Sequence, residues 1–383
     1  MDLRLISRVL FLRAAWRRRD HWDAAQITAH QDHALRELRR ATYAGSEFYR
    51  RHHAGLHDAP LDQLPSVTKA DLMAHFDEAV TTPDLTLADL ENHLQSLVQR
   101  GGDPGRPWNG RWWAAATAGT TGRRGTFIWN RTEWGTILAS YARANDWAGS
   151  SAGLTRPLKM ALVSSRVPTH QSAVVGASLR SGLVPTLRLD VTAPMDETVA
   201  ALNRFQPRIL VGYASALKPL ASEQRAGRLH IAPQGVMSAS EVLSPHTALE
   251  LEAAWGSAPF DVYAATETAG IAPPCTYRNR HVYEDLLIIE PVGDVSVHPT
   301  VFHHVLDQAA ASGWQIIQEA SALRVLMAGL APGASIQGVS TAVAGALKEI
   351  GVVDAAVDVH VVERVERTAL GKAPFVRGLM GRR

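Results

Sequence analysis

From Met160 to Ala264 the chain repeats one phrase: a short apolar run, a turn, then a stretch of helical period. Met160 to Ser164 precedes Thr169 to Ser181, Val184 to Leu189 precedes Asp196 to Phe205, and Ile209 to Gly212 precedes Ala214 to Ala226. Gly235 to Met237 then precedes Pro245 to Trp255, with Ser244 as its cap, and Pro259 to Ala264 closes the series. Strands separated by helices are joined by crossovers rather than tight hairpins, so the pattern predicts an α/β domain around a largely parallel sheet. Ligands of such sheets sit beyond the carboxyl ends of the strands. The residues that follow each apolar run are therefore the first candidates for chemistry.

Around this core the reading is coarser. Leu3 to Ala44 reads as helices with Asp20 and Thr28 as caps, a buried stripe at Leu35, Leu38 and Ala41, and Trp16 and Trp22 as anchors. Lys69 to Phe76 is a short helix, and Asp84 to Gln99 a further one capped by Thr86. Val282 to Glu290 looks like a strand pair or a buried strand. After it, helices over Pro299 to Ala310 and Ser335 to Ile350 alternate with strands at Trp314 to Glu319, Ala322 to Ala328 and Ala356 to Val362. A chain of 383 residues exceeds what one core usually fills. The expected division is a large domain over 1–293 and a small α/β domain over 294–383.

Between two further apolar runs, Trp112 to Ala116 and Phe127 to Trp129, stands T-A-G-T-T-G-R-R-G at Thr117 to Gly125. Gly119, Gly122 and Gly125 supply backbone freedom, Thr117, Thr120 and Thr121 supply hydroxyls, and Arg123 and Arg124 supply charge. Such a loop can turn its amides toward a phosphate. It can equally be a plain Gly/Thr turn between strands, and it does not match the Walker pattern.

With 39 basic against 37 acidic residues and a formal charge of +2, the chain has no cationic excess for a nucleic-acid backbone. Its one cysteine, Cys275, excludes an intramolecular disulfide and a cysteine-only metal site, and fits a reducing, cytoplasmic setting. Arginines interrupt the apolar residues of the first twenty positions, so these read as an amphipathic helix rather than a signal peptide. No apolar stretch approaches a membrane span. An oligomer is compatible with all of this.

T-A-G-T-T-G-R-R-G resembles the phosphate loop of the adenylate-forming superfamily, and Y-A-A-T-E at Tyr263 to Glu267 resembles its AMP-contacting core motif. Lys372, in R-T-A-L-G-K-A-P, resembles the lysine of that superfamily's mobile small domain. S-E-F-Y-R-R-H at Ser46 to His52 and L-P-S-V-T-K-A-D-L at Leu64 to Leu72 are similar to phrases of the phenylacetate-coenzyme A ligase and coenzyme F390 synthetase branch. The resemblance implies ATP and Mg2+ as cofactors and coenzyme A as one co-substrate. Its reaction is activation of a carboxylic acid as acyl adenylate, then transfer to coenzyme A, an amine or a carrier-protein thiol.

Residue by residue, the resemblance implies that Thr117, Gly119, Thr120, Thr121, Gly122 and Arg123 hold the nucleotide phosphates and Tyr263 lies against adenine. Thr266 would meet the α-phosphate, Glu267 would hold magnesium, and Lys372 would stabilise the transition state. Taken alone, T-E-T is also what a helix cap with an acidic first turn looks like, and Lys372 is what a solvated tail lysine looks like. Glu241 is placed near the nucleotide or the acyl pocket, with a solvated helix-start acid as the alternative. Asp285, in H-x-x-x-D with His281, is also placed there. His170 and Arg166 could orient and neutralise a carboxylate or be satisfied structurally. Gly235 and Ser238 fall in a stretch of small and apolar residues that admits an aromatic or medium aliphatic acid. Cys275 and His281 alone are too few ligands for a closed zinc site.

One expected segment is missing. Relatives carry, between the H-x-x-x-D region and the small domain, an aspartate for the ribose, an arginine near the phosphates and a hinge. Here Glu290-Pro291-Val292-Gly293-Asp294 runs almost directly into Val295-Ser296-Val297-His298-Pro299. A ligase and a degenerate protein that binds nucleotide or acyl ligand without completing catalysis are the two functions the sequence leaves open.

Overall fold

The computed structural model describes residues 3–117, 124–150, 152, 157–178, 182–289, 300–309, 311–319, 322–331, 333–349, 352, 355–365 and 376–377. Helices α1 (Leu3–Arg19), α2 (Ala24–Gly45) and α3 (Glu47–His52) open the chain. The cap of α2 is Asp23, in a reciprocal box with Gln26, and not Asp20 or Thr28. Asp20 is drawn instead to Arg143, at 2.6 Å. The expected apolar stripe of α2 is not buried either, since Leu38 is 63% exposed. Polar side chains hold this helix: His30 reaches the Asp285 carbonyl at 3.0 Å, Gln31 donates to Glu284 O at 2.9 Å, and Arg39 donates to Ala59 O at 2.7 Å. Trp16 is buried as expected, whereas Trp22 is half-buried against His30 and Arg19.

Next come α4 (Lys69–Ala74), α5 (Phe76–Ala79) and α6 (Leu87–Arg100), the last capped by Thr86 as its sequence predicts. Strands β1 (Trp112–Ala116) and β2 (Thr126–Asn130) form an antiparallel hairpin, and α7 (Arg131–Trp147) follows, capped by Asn130. Trp113, Trp129, Trp134 and Leu138 pack this hairpin and α7 against Leu5 and Val9 of α1.

The alternating region forms β3 (Met160–Ser164), α8 (Gln171–Ser178), β4 (Thr186–Asp190), α9 (Met195–Phe205), β5 (Ile209–Gly212), α10 (Ala214–Arg225), β6 (Gly235–Ala239), α11 (Pro245–Trp255), β7 (Phe260–Ala265) and β8 (Ala269–Ala272). The sheet runs β4-β3-β5-β6-β7-β8, parallel except for the last strand. Its strands are buried on both faces: Ala161 and Val163 join one core cluster with Leu217 and Leu251, while Met160 and Leu162 join another with Met237 and Phe260. Period-two alternation between two apolar layers is why these runs read as continuously hydrophobic.

Val282 to Ile289 is not a strand. The Tyr283 side chain points inward, and its carbonyl accepts from Leu286 and Leu287 N–H, so the Leu/Ile-rich run is wound into turns. Residues 290–299, where the sequence reading expects a shortened junction, lie outside the described residues. Beyond them a smaller C-terminal domain contains α12 (Thr300–Leu306), β9 (Gly313–Gln318), β10 (Ala322–Ala328), α13 (Ile336–Glu349), β11 (Ala356–Val362) and β12 (Val376–Arg377). Its sheet runs β11-β10-β9-β12 around a core of its own, with Phe302, Trp314, Ile316, Val325 and Val343 at the centre. Among the described residues no helix is long and apolar enough to cross a membrane.

Candidate functional site

The β1–β2 hairpin narrows to a neck just where the glycine-rich loop begins. Thr117 N–H donates to Gly125 O at 2.8 Å, and Gly125 N–H donates back to Thr117 Oγ1 at 2.8 Å. A Cβ on Gly125 would lie 2.8 Å from Lys69 Cδ, so a larger residue there would have to displace the lysine side chain that α4 lays against the neck. Gly119, Thr120, Thr121, Gly122 and Arg123, inside the loop, lie outside the described residues. The neck is also tied to the sheet, because Ala116 N–H donates at 2.8 Å to the carbonyl of Thr169, a buried residue just before α8.

Strand order locates the crevice. The chain leaves β3 for β4 on one side and places β5 on the other, so the order switches between β3 and β5. At the carboxyl ends of these two strands Ser165 N–H donates to the Tyr213 hydroxyl at 3.2 Å. Burial holds the Tyr213 phenol above its usual range, so it stays protonated. One strand further along, Ser240 adopts φ 68°, a left-handed conformation uncommon outside glycine. The same edge carries His170 and Arg166 on the loop from β3 to α8, His170 buried and Arg166 exposed.

The T-E-T segment is the turn of the β7–β8 hairpin and not the start of a helix. Ala269, which leaves the turn, has φ 64°, a second strained backbone at this edge. Gly270 N–H of β8 donates to Ser140 Oγ of α7 at 3.3 Å, and the hydroxyl of Tyr283, in the segment after β8, donates to Ser140 O at 2.8 Å. The turn itself is held by Gln171, whose Nε2 donates to Thr266 O at 2.7 Å while its Oε1 accepts from the Tyr141 hydroxyl at 3.1 Å. Gln171, the first residue of α8, therefore joins the hairpin turn to the segment that grips the loop neck. With its backbone so fixed, Glu267 is exposed, and its carboxylate takes no hydrogen bond or ion pair from a described residue. Tyr263, on the same hairpin, is 53% exposed.

Ser238 lies wholly buried in β6, and its Oγ has no hydrogen-bond partner among the described residues. Gly235, by contrast, begins β6 at the other end of the strand, where a Cβ would come within 3.1 Å of Ile209 Cδ1; its place is in the packing of the sheet. Glu241 is engaged too. Its two oxygens accept from Ser215 N–H at 2.9 Å and Ser215 Oγ at 3.0 Å, capping α10, whose own N-cap residue Tyr213 offers no side-chain bond. A carboxylate at that position satisfies orphan amides and meets the positive end of the helix dipole.

Asp285 stands apart from this group. Its carboxylate lies in a buried network with Arg143 at 2.7 Å and Arg19 at 3.4 Å, and Arg143 also holds Asp20 at 2.6 Å. Burial alone would lower the Arg143 pKa, but Asp285 and Asp20 outweigh it and hold the guanidinium charged. The structure thus gives Asp285 the task of joining α1, α7 and the segment after β8. Cys275 closes a tight turn with Asn279 and Arg278, and His281 packs edge-on against Trp147. No group of three or more His, Cys, Asp or Glu suited to a metal occurs among the described residues. Lys372 lies outside them.

The sequence-predicted residues that meet at the carboxyl edge are Thr117, His170, Arg166, Ser238, Glu241, Tyr263, Thr266 and Glu267. Gln171, Tyr141 and Tyr213, which position this group, carry no motif. A glutamine opening an Ala/Val-rich helix is the only local sign of the bridge, and its partners lie 30 and 95 residues away.

No family model and no curated protein matches the sequence. The fold does match solved structures. 2-Hydroxyisobutyryl-CoA ligase in the postadenylation state, in complex with 2-HIB-AMP, superposes with a TM-score of 0.63 at 15% identity, over 93% of this chain and 90% of that one. The same ligase in complex with R3-HIB-AMP gives a TM-score of 0.54 at 15% identity, over 93% and 90%. At this identity the likeness is one of fold.

Proposed function

We propose that the chain is an ATP-dependent, AMP-forming ligase that activates a small carboxylic acid as its acyl adenylate and passes the acyl group to coenzyme A, an amine or a carrier-protein thiol. The Gln171 bridge carries the reading. Through it the Thr266–Glu267 turn, the His170 segment and the neck of the glycine-rich loop converge on one edge of a parallel sheet, where ligands of such sheets bind. The fold shared with an acyl-CoA ligase supports it.

The donor set fits magnesium nucleotide. A carboxylate with no partner among the described residues, beside a hydroxyl, offers hard oxygen ligands, and Mg2+ takes one or two protein carboxylates together with substrate phosphates. Glu267 would hold that ion, which when bound neutralises phosphate charge. Thr266 would donate to the α-phosphate, loop residues Thr117, Gly119, Thr120, Thr121, Gly122 and Arg123 would cradle the outer phosphates, and exposed Tyr263 would flank adenine. Arg166 and His170 would orient the acid, and the orphan hydroxyl of Ser238 would donate to it. A carboxylate oxygen attacks the α-phosphorus as the bond to pyrophosphate breaks. Lys372, brought in by the small domain, would stabilise the charge that develops. The acceptor then attacks the acyl carbonyl and AMP leaves. A phenylacetate-coenzyme A ligase-like branch, domains over 1–293 and 294–383, and a shortened junction complete the proposal.

One observation favours the second reading, a protein that binds nucleotide or acyl ligand without turning over. Glu241 and Asp285, two acids assigned to the nucleotide, are committed to a helix cap and a buried ion network. ATP–pyrophosphate exchange over a panel of aromatic and aliphatic acids decides. The ligase reading expects exchange with at least one acid and its loss in Lys372→Ala, with ATP affinity kept within a few-fold. Neither exchange nor transfer from a supplied acyl adenylate, in a chain that still binds ATP, would replace it with the binder.

A further inference from the structure

Helix α1 is apolar on two faces, and the rest of the chain covers one of them. Leu5, Val9 and Trp16 pack inward, Leu5 and Val9 against α7 and the β1–β2 hairpin. Leu3, Ser7, Leu10, Phe11 and Ala14 are exposed, and at about 3.6 residues per turn they fall in one stripe on the opposite side. The large side chains of the stripe stand well clear of their surroundings, with Leu3 70%, Phe11 67% and Leu10 45% exposed. A single apolar residue on a surface needs no explanation, but three large ones aligned along one helix form a patch of the kind that meets a partner.

The charge around this stripe is of one sign. Leu3 to Arg19 contains six arginines and no acid. Arg17 borders the stripe beside Leu10, Arg4 borders it beside Phe11, and Arg18 closes its far end; all three are exposed. Asp146 is shared between Arg13, at 2.6 Å, and Arg17, at 3.4 Å, so one carboxylate serves two guanidinium groups. Arg8 donates to a neutral carbonyl, Thr132 O, at 3.3 Å. Arg19, on the other side of the helix, meets Asp285 at 3.4 Å. The outer face of α1 therefore combines exposed hydrocarbon with positive charge in excess of the described carboxylates that meet it.

Shape and charge choose the partner. The stripe runs about 22 Å along the helix from Leu3 to Arg18. Side chains as exposed as Leu3 and Phe11 project from the surface, which suits a flat, deformable partner and offers no groove to a peptide. Arginine stems lie along hydrocarbon while their guanidinium heads reach phosphate, the layering that a lipid interface presents. A second copy of this chain would instead bring like charges together.

We propose that α1 seats the protein on an anionic lipid surface, with Leu3, Leu10 and Phe11 in the acyl boundary and Arg4, Arg17 and Arg18 at the lipid phosphates. The helix keeps its packing on α7, so the protein lies on the membrane and does not span it. The inference uses no residue of the candidate site and does not depend on the ligase reading.

Co-sedimentation of the full chain with vesicles tests it. Partition onto phosphatidylcholine vesicles containing about one-third phosphatidylserine should exceed that onto phosphatidylcholine alone by about tenfold or more, because each arginine near an anionic surface contributes about fivefold. Salt at about 1 M, where the screening length falls to about 3 Å, should release most of the bound protein. Phe11→Glu should lower partition about tenfold or more and Arg18→Gln about fivefold, each with an unchanged melting temperature, since both side chains are exposed. Leu249→Glu, a change of the same kind at an exposed position of α11, should leave partition unaltered. No partition onto anionic vesicles, equal partition onto neutral ones, or binding that survives Phe11→Glu would each overturn the proposal. A dimer in sedimentation velocity that Phe11→Glu dissociates, without vesicle binding, would also overturn it and assign the stripe to a second copy. Should Phe11→Glu lower the melting temperature, Arg18→Gln and the comparison of lipids still decide it.

Discussion

Replacing Asp285 by Asn separates a structural carboxylate from a nucleotide ligand. Asp285 and Arg143 meet at 2.7 Å with side chains 5% and 6% exposed, so water screens the pair little. Breaking a buried pair by removing one partner costs about 3–5 kcal/mol. Asp20 still faces Arg143 at 2.6 Å in the variant, which keeps the guanidinium partly neutralised and places the expected loss nearer 3 kcal/mol. Arg19, 27% exposed and 3.4 Å away, adds at most about 1 kcal/mol. A loss of this size lowers the melting temperature of a domain this large by about 5–6 °C. Arg143→Met takes the shared partner from Asp20 and leaves Asp285 only the longer contact with Arg19, and should be the more damaging change. Thermal and urea unfolding report the stability, and ATP titration of the folded variant reports the site. Unchanged melting together with lost ATP affinity would refute the ion-network argument and return Asp285 to the nucleotide.

Three further changes test other parts of the site. Glu267→Gln should leave melting within about 0.5 kcal/mol, because the side chain is exposed and pairs with no described residue, yet abolish most pyrophosphate exchange; retained exchange removes it from the metal role. Glu241→Ala should cost about 1 kcal/mol by uncapping α10, with ATP affinity unchanged, and an ATP defect without a melting shift would instead place it at the nucleotide. Burial, with His52, Arg39 and His57 close by, lowers the His53 pKa in the folded chain, and burial lowers that of His93. The unfolded chain then binds more protons, so stability is full above pH 6.5 and falls as pH drops from 6.5 toward the depressed folded values. Melting followed against pH should show this decline, and His53→Gln should flatten it; an unchanged slope would exclude His53 as a source.

Most of the fold was legible locally. The strands and helices between Met160 and Ala265 follow from apolar runs, period and caps, each of which needs only a few neighbouring residues, and Thr86 and Ser244 cap as their sequences predict. Failures came where a neighbour in space overrode local preference. The stripe on α2 stays exposed because hydrogen bonds from His30, Gln31 and Arg39 hold the helix by its polar side chains. Val282 to Ile289 turns because the Tyr283 hydroxyl is drawn to α7.

The candidate site divides the same way. Its residue types and their order, a glycine-rich loop, T-E after a strand and acids after apolar runs, are properties of the sequence alone, because backbone freedom, charge and hydroxyl content travel with the residue. Tertiary structure alone decided which acids are available. Glu241 meets the Ser215 amide and hydroxyl at the start of α10, Asp285 meets two arginines from distant helices, and Glu267 has no partner among the described residues. The same carboxylate chemistry serves a cap, a buried ion pair or a ligand site according to which donors the fold brings within 3 Å, and those donors come from segments that no local window spans.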